Sequence, residues 1–285
     1  MKAAQAGAAE YDKRIRRAEH LASLYPFAAE ILRFYAHLAE FQKELCARLP
    51  REWGNQPLAR PGGHLRSELN LVLLLPHFPT LLDVVERAGP VPLADAARQF
   101  AARAKSQWIA ALGDFWSLGG LPDPELSRGA GGSEGSLTEV LLRAFLQPYC
   151  EFLAARMPAP AAQATSDRVC PRCGSAPLLG VLRPEGDGAK RLLMCSFCLQ
   201  EWDFRRILCA ACGEEDEKRL PVYVAEQFPH IRVESCDTCN FYLRTVDLTR
   251  DGNAVPIVDD LAAIPLSLWA LEHGYTRIQD NLLGA

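Results

Sequence analysis

The sequence predicts an α+β, multidomain protein: an all-helical N-terminal domain over residues 1–165, then two tandem rubredoxin-like or zinc-ribbon β modules over residues 166–208 and 209–285, the last carrying a C-terminal helix. Three observations predict it. Apolar residues recur at steps of three and four through the first 160 residues, the period of an amphipathic helix. Beyond Cys170 the period becomes strand-like, with short runs separated by Gly- and Asp-containing turns. Eight of the ten cysteines lie between Cys170 and Cys239, all in Cys-x-x-Cys pairs: Cys170/Cys173, Cys195/Cys198, Cys209/Cys212 and Cys236/Cys239.

The helices come in order. Tyr11, Ile15, Ala18, Leu21 and Leu24 form one stripe, which ends at Pro26. Phe27, Ile31, Phe34, Leu38, Phe41 and Leu45 form the next, which is expected to end at Pro50. Pro57–Gly63 reads as a loop. Leu71–Leu75 fits a strand or a buried helical turn, and its helical neighbours favour helix. A short helix is expected over Thr80–Ala88, closed by Gly89-Pro90. One long helix is expected over Ala94–Leu118, with Phe100, Trp108, Leu112 and Phe115 as core anchors. Leu121–Gly135 reads as a surface loop. Ser136 with Glu139 reads as a capping box for a helix that bends at Pro148. Pro158–Ser166 reads as the interdomain linker. Cys46 and Cys150 sit on helical stretches with no partner nearby in sequence, as small buried apolar residues do.

In the second half, Leu178–Arg183 and Lys190–Met194 flank a Pro184–Gly188 turn, making a hairpin between the first two cysteine pairs. Trp202–Leu208 is expected to be extended. Arg219–Val224 and His230–Glu234 make a looser hairpin, and Phe241–Thr249 a further strand. Val258–His273 reads as a helix with Leu261, Ile264, Leu268 and Leu271 on one face, a kink or break at Pro265 and a Gly274 cap.

Composition sets the chemical setting. At 285 residues with 49% apolar content the chain can bury a core without relying on metal throughout. Met1–Arg17 has no apolar segment behind it, and Arg16-Arg17 precedes Ala-Glu-His rather than a hydrophobic stretch. The longest bulky apolar run, Leu71–Leu75, is too short to cross a bilayer. The expectation is a cytoplasmic protein without membrane insertion. In that compartment thiols stay reduced, so Cys-x-x-Cys pairs are metal ligands or redox thiols rather than disulfides.

A Cys-x-x-Cys turn puts two sulfurs on one side of a tight loop, and two such turns complete a tetrahedral four-thiolate site. Cys170, Cys173, Cys195, Cys198, Cys209, Cys212, Cys236 and Cys239 therefore suffice for two metal ions. Cys173 and Cys195 enclose 21 residues and Cys212 and Cys236 enclose 23, each the length of a hairpin. This favours sequential pairing of the turns, although cross-braced pairing also satisfies the spacing. Four thiolates hold zinc or iron equally well, and structural zinc is the default reading. Thiol–disulfide exchange would need one exposed, activated pair, not four alike. The cysteine-rich half, from Ser166, has 13 Lys and Arg against 18 Asp and Glu, so nucleic-acid binding by a zinc ribbon is disfavoured. The six histidines are scattered, His37 reading as a core or boundary residue. Gly129-Ala-Gly-Gly lacks the lysine of a phosphate loop. The adjacent Asp259 and Asp260 read as helix-start residues that satisfy free N–H groups.

At these residues the chain resembles the formate dehydrogenase accessory proteins, the FdhE family. The stretches that carry the resemblance are CPRCGSAP (170–177), CSFCLQEW (195–202), RRILCAACG (205–213), ESCDTCNFYLR (234–244) and VDDLA (258–262). Thinner likeness continues at Tyr25–Glu40 and Phe145–Leu153. The resemblance implies a non-enzymatic, cytoplasmic maturation factor that contacts the catalytic subunit of formate dehydrogenase. It also implies two rubredoxin-like sites with iron favoured over zinc. A rubredoxin-like iron electron carrier is the rival from another class. The chain departs from the family pattern at Leu266-Ser267-Leu268, where a further Asp is usual, and in its Asn281-Leu282 ending.

Overall fold

The computed structural model describes residues 2–54, 65–118, 133–157 and 167–284. The predicted Pro57–Gly63 loop, residues 121–132 of the predicted Leu121–Gly135 loop and the Pro158–Ser166 linker lie outside them. The chain forms two compact units, Met1–Ala159 and Pro160–Leu283.

The first unit is helical: α1 (Lys2–Leu24), α2 (Ala29–Trp53), α3 (Leu71–Leu74), α4 (Phe78–Ala88), α5 (Val91–Ala101), α6 (Lys105–Leu118) and α7 (Ser133–Arg156). Tyr11, Ile15, Ala18 and Leu21 are buried as their period requires. So are Phe34, Leu38, Phe41 and Leu45. Phe27 is half exposed, because Pro26 opens a 3-10 turn and the α-helical phase begins only at Ala29. His37 faces solvent, contrary to the sequence reading. Nor does Pro50 end α2. The missing N–H costs one hydrogen bond in the last turn, and three more residues bring Trp53 into the core against Tyr149 and Phe152. The expected long helix over Ala94–Leu118 is two helices. Nothing in the alanine-rich sequence breaks it; the break is held by Gln107, whose side chain accepts from the Ala104 N–H, and by the Trp108 indole N–H, which donates to the Phe100 carbonyl. Phe100 and Trp108 then both meet Phe78 edge-on, and Trp116 rather than Phe115 is the second buried aromatic of α6, after Trp108. The α7 helix starts at Ser133, inside the predicted loop, and runs through Pro148. The Ser136 side chain lies outside the described residues. Across the helices, Arg14 holds Glu151 through two hydrogen bonds of 3.0 and 2.8 Å, and Tyr11 donates to the same carboxylate.

The second unit is built on one seven-stranded sheet. Its strands are β1 (Pro177–Glu185), β2 (Gly188–Cys195), β3 (Glu201–Asp203), β4 (Val222–Ala225), β5 (Phe228–Ser235), β6 (Phe241–Asp247) and β7 (Thr276–Arg277). The order is β3-β2-β1-β6-β5-β4, with β7 beside β6. Each predicted hairpin is present. Extended structure after Trp202 stops at Asp203, sooner than expected. The two modules join where β1 and β6 run parallel, with Gly180 opposite Thr245. Only glycine fits there, since a Cβ would come within 2.3 Å of Thr245 Oγ1. Arg191 on β2 spans the same junction, donating to Glu234 on β5 at 2.5 Å and to the Arg205 carbonyl at 2.7 Å.

The C-terminal segment is two short helices, α8 (Pro256–Ala262) and α9 (Ile264–Glu272). The break expected near Pro265 falls at Ala263, leaving Pro265 in the first turn of α9. It also resets the helical phase. Leu266 and Ala270 are buried, while Leu268 and Leu271, predicted to share the inner face, are 56% and 59% exposed. Gly274 closes α9 at φ +83°, a left-handed conformation that suits glycine.

Candidate metal centres

The four Cys-x-x-Cys turns have the same local build. In each, the first cysteine N–H donates back to the carbonyl that comes after the turn: Cys170 to Ser175, Cys195 to Gln200, Cys209 to Glu214 and Cys236 to Phe241, at 2.8 to 3.0 Å. The residue four beyond each first cysteine has positive φ: Gly174, Leu199, Gly213 and Asn240. Two glycines and an asparagine fit that conformation, and Leu199 takes it against its own preference. Backbone N–H groups also point at sulfur, from Phe197 and Cys198 to Cys195 and from Ala211 and Cys212 to Cys209.

The hairpins then set which turns meet. The β1–β2 hairpin brings Cys170, Cys173, Cys195 and Cys198 together; β4 and β5 lead the third turn to the fourth and gather Cys209, Cys212, Cys236 and Cys239. The grouping is sequential, and within each set all four sulfurs lie within 4.8 Å of one another. Sulfur separations are 3.5, 3.3 and 3.7 Å in the first set (Cys170–Cys198, Cys173–Cys195, Cys173–Cys198). They are 3.8 and 3.7 Å in the second (Cys209–Cys239, Cys212–Cys236). A tetrahedron with metal–sulfur arms of about 2.3 Å has edges of about 3.8 Å, so the donor sets fit zinc or iron.

Crowding perturbs the thiols. Hydrogen bonds from Cys170, Cys195 and Cys198 hold Cys173 far below the ordinary thiol range. Burial pushes Cys195 far above it, and hydrogen bonding with the other three sulfurs pushes Cys198 up as well. In the second set burial raises Cys209 and Cys239. Burial also works upward on Cys236, but the Cys239 and Thr238 N–H groups outweigh it and bring that thiol down. One sulfur thus ionises at its neighbours' expense, and four can do so together only around a cation. Cys46 and Cys150 are buried in the helical unit, and burial raises the Cys46 thiol to about 11, as suits an unreactive core residue.

The family model described as "FdhE, central domain" matches residues 169–206, and that described as "FdhE, C-terminal domain" matches residues 207–283. Residues 169–283 thus resemble the two FdhE domains in unbroken succession. A protein FdhE homolog of Aquifex aeolicus is 26% identical over 297 residues, covering 96% of this chain and 95% of that one. A protein FdhE homolog of Pseudomonas aeruginosa is 37% identical over 125 residues, 41% of this chain and 40% of that one. The crystal structure of the FdhE protein from Pseudomonas aeruginosa aligns with a TM-score of 0.68 at 27% identity, over 98% of this chain and 96% of that one.

In this FdhE-like chain, the segments flanking the cysteines form a buried polar network that the sequence did not reveal. Asp259 does serve its helix start, accepting from the Val255 N–H at 2.7 Å, and it also meets His230 at 2.9 Å. Asp260 is fully buried and has another role. It takes Arg244 of β6 at 2.8 Å, Arg277 of β7 at 2.7 Å and Asn281 at 3.1 Å. Burial works against its ionisation, but Arg244 and Arg277 outweigh it and hold the carboxyl below its usual range. Asn281 is therefore buried in this network, and Leu282 beside it is buried too, rather than presented to solvent. The signal was present, as Arg244 closes the YLR stretch and Asp260 lies in VDDLA, but only the fold brings them together. His230, Asp251 and Asp259 also cluster, yet Asp251 accepts from the Asn253 N–H at 2.9 Å and both Asp259 oxygens are engaged.

Proposed function

We propose that this protein is an accessory or maturation factor needed for the assembly or activation of formate dehydrogenase. It acts by binding that enzyme's catalytic subunit in the cytoplasm and does not oxidise formate itself. In this reading Cys170, Cys173, Cys195 and Cys198 hold one metal ion, and Cys209, Cys212, Cys236 and Cys239 hold a second. Iron is favoured and zinc is the alternative. Residues 166–208 and 209–285 are the two metal modules, each a turn, a hairpin and a turn closed by its ion.

The observation that carries the reading is the pair of four-sulfur clusters in a stretch that matches the FdhE central and C-terminal domains. A bound ion would supply the positive charge that lets four crowded thiolates ionise together. The chain's own residues do the rest: the positive-φ positions aim the sulfurs, the N–H groups of Phe197, Cys198, Ala211 and Cys212 stabilise negative sulfur, and the β1–β6 junction fixes the modules in one frame. Among the described residues no helix is long and apolar enough to cross a membrane.

Deleting the gene tests the assignment. Formate dehydrogenase activity is expected to fall and to return when the intact gene is restored; unchanged activity overturns it. Purification without oxygen, with a visible spectrum and paired iron and zinc assays, tests the metal. Two ions per chain are expected, and the spectrum identifies tetrahedral iron–thiolate.

A further inference from the structure

The two four-cysteine centres are not equally enclosed. Cys170, Cys173, Cys195 and Cys198 are 2%, 0%, 0% and 0% exposed. In the other set Cys209 and Cys236 are buried, Cys239 is half-buried and Cys212 is exposed. Cys209 and Cys236 also line a cavity of about 180 Å³, whose walls include Ile207, Leu220, Val222 and Phe241. Ile207 and Val222 on this cavity are themselves 44% and 52% exposed. The second centre thus meets solvent at Cys212 and is bordered by the cavity at Cys209 and Cys236.

We propose that the Cys209–Cys212–Cys236–Cys239 centre is a ligand-exchange site, with Cys212 the departing ligand and a thiol of another molecule the incoming one. This rests on the metal occupancy proposed above. The exchange is a substitution without electron transfer. The incoming thiol loses its proton and forms a metal–sulfur bond, the metal–Cys212 bond breaks, and Cys212 sulfur takes up the proton. Metal oxidation state and net charge are unchanged. Cys209, Cys236 and Cys239 remain as three protein ligands, the arrangement that leaves a fourth position open to an outside ligand.

Solvent decides between the centres. A departing sulfur at the surface is hydrated where it stands, whereas one in the first centre would be released into an interior that cannot solvate it. The first centre is also closed from outside: Phe197 is buried over its second turn, and the Trp202 indole N–H donates to the Asp167 carbonyl at 2.8 Å, holding the chain just before Cys170.

The test uses the full chain loaded with two zinc ions and challenged with excess 4-(2-pyridylazo)resorcinol, a chromogenic chelator. One zinc is expected to leave in a fast phase and the other about tenfold more slowly, the spread of a modest difference in barrier. Glutathione is expected to accelerate the fast phase alone. Limiting iodoacetamide on the loaded protein is expected to label Cys212 first, located by peptide mass. Loss of both ions in one phase, a fast phase indifferent to glutathione, or first labelling within the Cys170–Cys198 set overturns the proposal. If the protein binds no zinc at the second set, the metal reading and the exchange fail together. Two ions leaving together defeat the exchange alone.

Discussion

The two cysteine centres share a turn and differ in the residues that come after it. After Cys198 the chain reads Leu-Gln-Glu-Trp, and it enters β3 with Trp202 buried at 2% exposure. After Cys212 it reads Gly-Glu-Glu-Asp-Glu, forms no strand until Val222, and stays at the surface. The first turn pair is therefore sealed by its own hairpin and third strand. The second is held by polar contacts: Thr238 donates to Glu214 at 2.6 Å, and the Asp237 N–H donates to the Arg219 carbonyl at 2.9 Å. Sulfur geometry is thus local and repeated, whereas its isolation from water depends on the apolar character of the next few residues.

The largest effect should come from setting Cys198→Ser against Cys212→Ser. A buried tetrathiolate ion contributes on the order of 10 kcal/mol to folding a small module. Cys198→Ser is expected to lose one ion and the cooperative melting of the β unit. Cys212→Ser should keep the melt, with its second ion weakened. Circular dichroism melts with metal-to-chain ratios check this, and equal damage from both would erase the distinction.

Asp260→Ala comes next. It leaves Arg244 and Arg277 facing each other in a fully buried site, at an expected cost of about 3–5 kcal/mol. The sign with pH comes from the lowered carboxyl. Its folded-state value lies below the unfolded one of 3.8, so its contribution is complete above that value and is lost as pH falls through the depressed one. Wild-type urea midpoints should therefore drop on acidification in this range, and those of Asp260→Ala should drop less.

Gly180→Ala tests whether the centres are mechanically joined. The added methyl must displace Thr245 at the β1–β6 junction, for an expected loss of about 1–3 kcal/mol. Hydrogen exchange should speed up on both strands. Exchange confined to β1 would mean that the modules are independent. The smallest effect belongs to Arg183→Ala. Arg183 is 47% exposed where it pairs with Glu201 at the outer edge of the first module, and its loss should move the midpoint by less than about 1 kcal/mol.

Much of the candidate site was legible in the sequence because it is made of local turns. The Cys-x-x-Cys spacing, Gly174, Gly213 and Asn240 announce three of the four turns, and the PEGDG turn announces the hairpin that pairs the first two. Leu199 gave no such notice, since nothing in its chemistry asks for positive φ. The polar network was illegible for a different reason: Arg244, Asp260 and Arg277 lie on three separate elements and Asn281 on the irregular segment after β7, and no periodicity links them.

By itself, then, the sequence determined the helical first half, the two hairpins, and the eight cysteines with their sequential grouping as the favoured pairing. These depend on steps of three and four, on alternation and on turn chemistry, all of which act within a few residues. Only the tertiary structure decided that both hairpins share one sheet through Gly180 and Thr245, that the helix after Phe100 breaks, and that Asp260 ties β6 and the chain's ending together. It alone also decided that Cys212 meets water while its seven counterparts are buried or half-buried. Each of these depends on which distant surfaces meet, and burial is a property of the assembled fold rather than of any stretch of chain.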